Sequence, residues 1–233
     1  MEIIDAHNHP DWHGHDLTRF LANMDAHGIR QTWLLSWEAP ADEYDPPVYN
    51  RVMMPDSRGY PVPFEACLRY AQAAPDRFVL GYAPDRLAAA IDLYGVKTCG
   101  EIKLRMMYDN PDALRLFRFA GEKGLPVTVH VEYGAESGVA TGRAYPRPDW
   151  WYGGGIGAFE RAVAACPDTV FIGHAPGFWA HISGDDGFAR ETYPKGPVHP
   201  GGKTVEMLRR YPNLWADLSA GSRTKRPDRH GPR

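Results

Sequence analysis

Short apolar runs alternate along the chain with longer segments in which apolar positions recur every three to four residues. Most of the short runs are rich in Val, Ile, Leu or aromatic residues and are bounded by Gly or Pro, a pattern typical of buried strands. Seven runs predict strands: Ile3–His9, Gln31–Trp37, Arg77–Ala83, Gly100–Met106, Pro126–Glu132, Thr169–Ala175 and Asn213–Ser219. The segments between them predict helices: Leu17–His27, Phe64–Ala73, Arg86–Tyr94, Asp112–Lys123, Ile156–Ala165 and Thr204–Arg210.

The order of these elements indicates the fold class. Strands that alternate with helices form right-handed βαβ units, which build a parallel sheet. Seven strands in a chain of 233 residues favour an α/β fold of the (β/α)₈ TIM-barrel type, incomplete, with seven strands visible. We expect this barrel to span residues 1–221. An open, doubly wound sheet is the alternative.

Charged and apolar residues alternate along residues 101–106, which read EIKLRM. The outer face of a barrel strand packs on helices, so the apolar members should face outward and Glu101, Lys103 and Arg105 should point into the barrel. Burying three charges is costly unless they pair or meet a ligand. Lys103 and Arg105 are therefore candidates for binding a substrate carboxylate. A strand on the rim that alternates by chance is the alternative.

Three long connections, residues 38–63, 133–155 and 176–203, each follow a predicted strand and precede a helix. In a parallel barrel such connections lie at the C-terminal face, where active sites form. They are rich in aromatic residues, and we take Trp151 and Trp179 as candidate contacts for a flat or apolar substrate. Packing of the loops onto the rim would explain the aromatic residues equally well.

Composition and charge narrow the classes of protein. Hydrophobic residues make up 43% and charged residues 24%, which is typical of a globular protein and excludes a disordered chain or a coiled coil. The net charge of −3 gives no indication of nucleic-acid binding, and no apolar run approaches the about 18 residues of a membrane span. The three cysteines lie far apart and the N-terminus has no signal-peptide pattern, so we expect reduced thiols and a cytoplasmic location.

The last twelve residues differ from the rest of the chain. Residues 222–233 contain five Lys or Arg, one Asp and no apolar side chain. Such a segment cannot join a core, and we predict a disordered basic tail.

Histidines stand at the ends of three predicted strands. His7 and His9 are two positions apart on the first strand, so both side chains can reach one metal ion. His130 closes the fifth strand and His174 the sixth. A single histidine at a strand end is usually a hydrogen-bonded core residue, but four at equivalent depth should converge on one point and form a divalent metal site.

The sequence resembles the amidohydrolase superfamily, and within it the amidohydrolase-2 branch. The matching features are Asp5-Ala6-His7-Asn8-His9, Lys103, His130, His174 and residues 213–219 as strand seven. The resemblance implies a (β/α)₈ barrel with a divalent metal, most often zinc. It further implies that His7, His9 and His130 bind the metal and that His174 assists catalysis or, as in the two-metal members, also binds a metal.

The eighth strand of that family, with its terminal aspartate, has no counterpart in this sequence. In the family this aspartate contacts the metal and takes a proton from water, whereas here the basic tail follows strand seven. We expect a truncated or frame-shifted chain that lacks the usual base, that is weakly active, and that is unstable or self-associated as a homo-oligomer; a seven-stranded variant of the barrel is the alternative. Asp217 is the best substitute for the missing acid; a buried carboxylate with a purely structural role is the alternative.

These features together predict a metal-dependent hydrolase. Water activated by zinc would attack the carbonyl of an amide, ester or lactone in a small, carboxylated or aromatic substrate. A metal-dependent decarboxylase of an unsaturated or aromatic acid and a catalytically silent remnant are the alternatives. A phosphoesterase of the polymerase-and-histidinol-phosphatase type is disfavoured, because the Asp-x-His near the end of the chain, Asp228-Arg229-His230, lies in the basic tail and not at the end of a predicted strand.

Overall fold

A computed structural model describes residues 2–37, 62–82, 87–103, 106–131, 153–189 and 196–218. The strands are β1 (Ile3–Asn8), β2 (Ile29–Leu34), β3 (Phe78–Tyr82), β4 (Thr98–Ile102), β5 (Val127–His130), β6 (Phe171–His174) and β7 (Leu214–Ala216). The helices are α1 (Leu17–Ala26), α2 (Phe64–Ala73), α3 (Leu87–Tyr94), α4 (Pro111–Glu122), α5 (Gly155–Ala165), α6 (Pro176–Trp179) and α7 (Lys203–Arg210). None of the helices in these ranges is long and apolar enough to cross a bilayer.

The seven strands form one parallel sheet in the order β1 to β7. Doubly wound sheets reverse their strand order partway, so this sequential order excludes that alternative. The first and last strands approach one another: His7 Nδ1 on β1 lies 2.9 Å from Asp217 Oδ2, directly after β7. The sheet is therefore curled as in a TIM barrel, which confirms the predicted fold class with seven strands.

The predicted bounds of the longer helices agree closely with the observed ones, and α2 has the predicted bounds of Phe64–Ala73. Among the strands, β4 differs most from its predicted bounds. The observed strand is Thr98–Ile102, whereas the sequence predicted Gly100–Met106. Its register on β5 is irregular between Cys99 and Ile102, and the chain then leaves the sheet. Charge alternation alone could not show where the backbone pairing ends. Helix α6 was also missed, because its Pro and Gly are typical of a loop.

Aromatic rings between the sheet and the outer helices form the centre of the core. Phe171 on β6 contacts Phe117 of α4 and Phe159 of α5, with ring centroids 5.3 and 5.9 Å apart. Phe178 of α6 packs next to β6 because residue 173 is glycine; a Cβ there would come within 2.6 Å of the Phe178 ring. This packing fixes the end of β6, where His174 lies.

Candidate metal and catalytic site

The carboxyl ends of four strands bring the predicted histidines around one carboxylate. Glu101 on β4 is buried, with Oε2 3.5 Å from His9 Nε2 and 3.9 Å from His7 Nε2. Its Oε1 lies 3.5 Å from His174 Nε2 and accepts a short hydrogen bond from His130 Nδ1. All four imidazoles are buried. The convergence expected from the strand-end positions is therefore present, with a carboxylate at its centre.

The opposite ring nitrogens of two histidines are held by acceptors. His9 Nδ1 lies 2.8 Å from the carbonyl oxygen of Leu35, and His174 Nδ1 lies 2.9 Å from Asp217 Oδ1. A carbonyl or an ionised carboxylate only accepts, so each Nδ1 donates a proton. The Nε2 of each ring faces Glu101 and lies 3.5 Å from one of its carboxylate oxygens. This arrangement is typical of metal-binding histidines, whose other nitrogen is tied to an oxygen acceptor.

His7 is placed differently from the other histidines. Its Nδ1 lies 2.9 Å from Asp217 Oδ2, but the alignment is not that of a hydrogen bond, and this buried nitrogen has no hydrogen-bond partner among the described residues. Its ring is tilted by 30° against that of His174 at a centroid distance of 3.9 Å. A buried polar atom in such surroundings needs a partner, and a cation would supply one.

Burial and mutual charge shift the pKa values of the site in different directions. Burial lowers the pKa of His174 to about 4, with the charge of His7 adding to the effect. Burial also lowers the pKa of His7, but the Asp217 and Glu101 carboxylates outweigh it and raise this pKa above its ordinary value. In the absence of a metal, His7 therefore holds a proton more readily than His174 does.

Both carboxyl groups of the site remain ionised. Burial by itself raises the pKa of Glu101, but Lys103 and His130 outweigh burial and hold it well below the ordinary value. Burial also raises the pKa of Asp217, but the hydrogen bond and charge of His174 and of His7 outweigh burial. The pKa of Asp217 therefore lies below its ordinary value. Two buried negative charges therefore face a cluster of imidazole nitrogens.

The donor atoms fit a divalent metal ion. Three groups have ligand atoms within 4.8 Å of one another: His7, His174 and Asp217; His7, His9 and Glu101; and Glu101, His130 and His174. Imidazole nitrogens combined with carboxylate oxygens suit Zn²⁺ and neighbouring transition metals. The ionised carboxylates also provide the negative charge that a buried cation needs.

The other predicted site residues divide into two groups. Lys103 lies beside the cluster, with its Nζ 3.5 Å from the centroid of the Trp37 ring. Trp179 lies on α6 and packs against Phe178 at a centroid distance of 5.4 Å. Arg105 and Trp151 lie outside the described residues, as does the predicted basic tail.

Sequence reasoning missed the role of Glu101. The alternation along β4 pointed this side chain inward, but the family pattern directed attention to Lys103, two positions later. The available signal was a carboxylate at the same end of the sheet as the histidines. Tyr108 was also not assigned to the site, whereas Trp37 was one of the aromatic residues that the sequence placed near a candidate substrate pocket. The Tyr108 hydroxyl lies 2.8 Å from the His130 carbonyl oxygen and 3.1 Å from that of Ile102.

Comparison with known proteins supports the fold. No protein-family model and no curated protein matches the sequence. An uncharacterised TIM-barrel protein from Bordetella bronchiseptica is similar with a TM-score of 0.58 and 15% identity, over 93% of this chain and 74% of that one. The fold and the site thus define a protein of TIM-barrel type with a buried histidine and carboxylate cluster at the carboxyl ends of its strands.

Two solved enzymes show a weaker likeness. A 2,6-dihydroxybenzoate decarboxylase from Rhizobium has a TM-score of 0.47 and 16% identity, over 92% of this chain and 78% of that one. A 4-oxalomesaconate hydratase from Rhodopseudomonas palustris has a TM-score of 0.48 and 13% identity, over 97% of this chain and 84% of that one. With TM-scores below 0.5, they add nothing to the assignment of the fold.

Proposed function

We propose that this protein is a metal-dependent hydrolase of the amidohydrolase type that acts on an amide, ester or lactone. The observation that carries the proposal is the convergence of four buried imidazoles on Glu101. A purely structural cluster would have no need to gather several ring nitrogens around one buried, ionised carboxylate. A site that binds a cation does need this arrangement.

His7, His9 and His130 would hold the ion, as the family resemblance implies, and Glu101 is an additional ligand. Zn²⁺ is the metal we favour, because imidazole and carboxylate ligands suit it. A bound ion of this kind would supply Lewis-acid activation of water near neutral pH.

His174 and Asp217 would handle the proton. His174 is neutral at physiological pH, since its pKa is about 4, and its Nε2 is available as an acceptor. A proton taken up there would be stabilised by Asp217, which accepts the hydrogen bond from Nδ1 on the far side of the ring. Such a pair of an imidazole and an orienting carboxylate is typical of general acid–base catalysis.

Metal analysis of the purified protein tests the ligand assignment. We expect about one equivalent of divalent metal per chain, strongly reduced in His7→Ala and in Glu101→Gln. His27→Ala is the matched control, because His27 is exposed at the end of α1 and should keep the full content. Full retention of metal in His7→Ala would show that the assignment is wrong.

Turnover tests the reaction class. The chain is stripped with a chelator, reloaded with Zn²⁺ or Mn²⁺, and offered esters, amides, lactones and aromatic acids while hydrolysis and released CO₂ are both followed. Metal-dependent hydrolysis supports the proposal. Released CO₂ without hydrolysis would assign the decarboxylase instead, and bound metal without turnover on the panel would assign a silent protein.

A further inference from the structure

A tyrosine of α2 reaches into the turn that follows His9. Tyr70 is only 1% exposed, and its ring lies in the core against Phe20 and Phe78. Its hydroxyl donates to Asp11 Oδ1 at 2.8 Å and accepts from the backbone N–H of Asp11 at 3.2 Å. Tyr70 therefore holds Asp11 through both its side chain and its backbone, although the two residues are 59 positions apart in the chain.

The conformation of Asp11 makes this pair of hydrogen bonds informative. Asp11 has φ +56° and ψ 12°, the left-handed region that most side chains avoid and that Asp and Asn adopt more readily. Burial and the hydrogen bond to Asp11 raise the pKa of the Tyr70 phenol above its ordinary value, so the hydroxyl remains a donor. Arg69 contacts the other carboxylate oxygen, but this pair is 61% and 39% exposed and contributes little.

The turn at Asp11 is connected to His9 in two ways. Pro10 alone separates the two residues; it is buried and its ring fixes φ, so a change in chain direction at Asp11 is transmitted to His9. Trp12, directly after Asp11, has its ring centroid 5.1 Å from that of the His9 imidazole. The carbonyl oxygen of Leu35 holds Nδ1 of the same imidazole. The ring is thus fixed by β2 at one nitrogen and by the turn at its face.

We propose that Tyr70 and Asp11 are positioning residues, which hold His9 in the orientation that binds the metal ion. They act through Pro10 and Trp12, and not by contact with the ion. The proposal rests on the proposed function, because His9 needs this orientation only as a metal ligand. It makes the affinity of the site depend on a residue of α2, an element that contributes no ligand.

Binding of Co²⁺ to the chelator-stripped full chain tests this role, because the visible absorption of bound Co²⁺ depends on the number and geometry of its ligands. Tyr70→Phe removes the hydroxyl and keeps the ring in the core. We expect it to weaken Co²⁺ binding by about 10-fold and to alter the absorption of the bound ion, since residues that orient metal ligands affect affinity to this extent.

Two substitutions of Asp11 separate hydrogen bonding from charge. Asp11→Asn keeps an acceptor oxygen and tolerates the left-handed conformation, so it should retain most of the affinity and the wild-type absorption. Asp11→Ala removes the acceptor and disfavours the conformation, so it should lose as much affinity as Tyr70→Phe. The double variant Tyr70→Phe, Asp11→Ala should lose little more than either single variant, because each substitution breaks the same contact.

Two control variants address surface charge and general loss of stability. Arg69→Met removes the exposed ion pair with Asp11 and should leave Co²⁺ affinity unchanged. Val163→Ala opens a cavity under α5, which packs on β6 through Phe159. It should destabilise the fold and leave the absorption of bound Co²⁺ unchanged.

The outcomes separate this proposal from the one on which it rests. Normal affinity and absorption of Co²⁺ in Tyr70→Phe would overturn the positioning role alone, and Asp11→Ala decides the question if Tyr70→Phe does not fold. Equal losses in Asp11→Asn and Asp11→Ala, or the same altered absorption in Val163→Ala, would also overturn it. A wild-type chain that takes up no divalent metal would instead overturn the proposed function.

Discussion

Asp217 is positioned to influence two histidines of the site, His174 and His7. Its carboxylate accepts the hydrogen bond from His174 Nδ1 and lies beside His7 Nδ1, so it faces two histidines from the far side of their rings. The sequence suggested Asp217 as a substitute for a missing base, which stays a prediction. The geometry adds a role in orienting His174 and in placing a negative charge beside His7.

Replacing Asp217 by Asn separates the two roles. An amide is uncharged and has only one acceptor oxygen, so it cannot both accept from His174 and place a negative charge beside His7 as the carboxylate does. We expect metal affinity to fall by about 10- to 100-fold, measured by competition with a chromogenic chelator. Asp92→Asn, on the exposed face of α3, is the control. Unchanged metal affinity with lost turnover would point to proton transfer by Asp217.

At the scale of elements, Tyr108 connects the two strands that carry Glu101 and His130. Its hydroxyl lies within hydrogen-bonding distance of the carbonyl oxygens at the ends of β4 and β5, and its ring is fully buried. Residue 153 is glycine with φ +76°, and a Cβ there would come within 1.9 Å of the Tyr108 ring. Glycine at position 153, just before α5, therefore leaves room for this tyrosine.

Tyr108→Phe should lower the free energy of unfolding by about 1–3 kcal/mol, because it removes the one hydroxyl donor that the carbonyl groups of Ile102 and His130 share. The partly exposed Tyr94 on α3 provides the control, and Tyr94→Phe should change stability by less than about 0.5 kcal/mol. Denaturant unfolding monitored by circular dichroism measures both. Equal effects of the two substitutions would refute the bridging role of the Tyr108 hydroxyl.

The secondary-structure elements also show which bounds the local sequence pattern predicts correctly and which it does not. Helix α2 was predicted at its observed bounds because apolar spacing and a preceding proline are local signals. Strand β4 was misplaced by two residues at its start, because its limits depend on pairing with β3 and β5. Glu101 was overlooked for the same reason: its importance depends on residues from three other strands.

At the scale of the molecule, β1 and β7 are the outer strands of the described sheet. Large apolar side chains on or next to these strands are exposed: Ile4 by 53%, Trp215 by 64% and Leu218 by 69%. Unpaired strand edges with apolar side chains promote association between molecules. The expectation of a self-associating chain from the sequence stays a prediction, and these residues identify the surface involved.

Sedimentation over a range of concentrations tests this expectation. Trp215→Lys should shift the protein toward the monomer, because a charge on an edge strand opposes pairing. Leu93→Lys is the control, since Leu93 is 71% exposed on α3, away from the edges, and its loss should leave association unchanged. A wild-type chain that is monomeric at all concentrations would contradict the prediction.

The sequence by itself determined the alternation of strands and helices and the position of each histidine at a strand end. Both depend on periodicity and turn residues, which are local properties of the chain. Only the tertiary structure decided which atoms meet. The curl of the sheet brings β1 and β7 together, so that His7 and Asp217, from opposite ends of the described chain, lie 2.9 Å apart. Burial then sets their charges and those of Glu101 and His174, because desolvation and neighbouring charge act only in the folded protein.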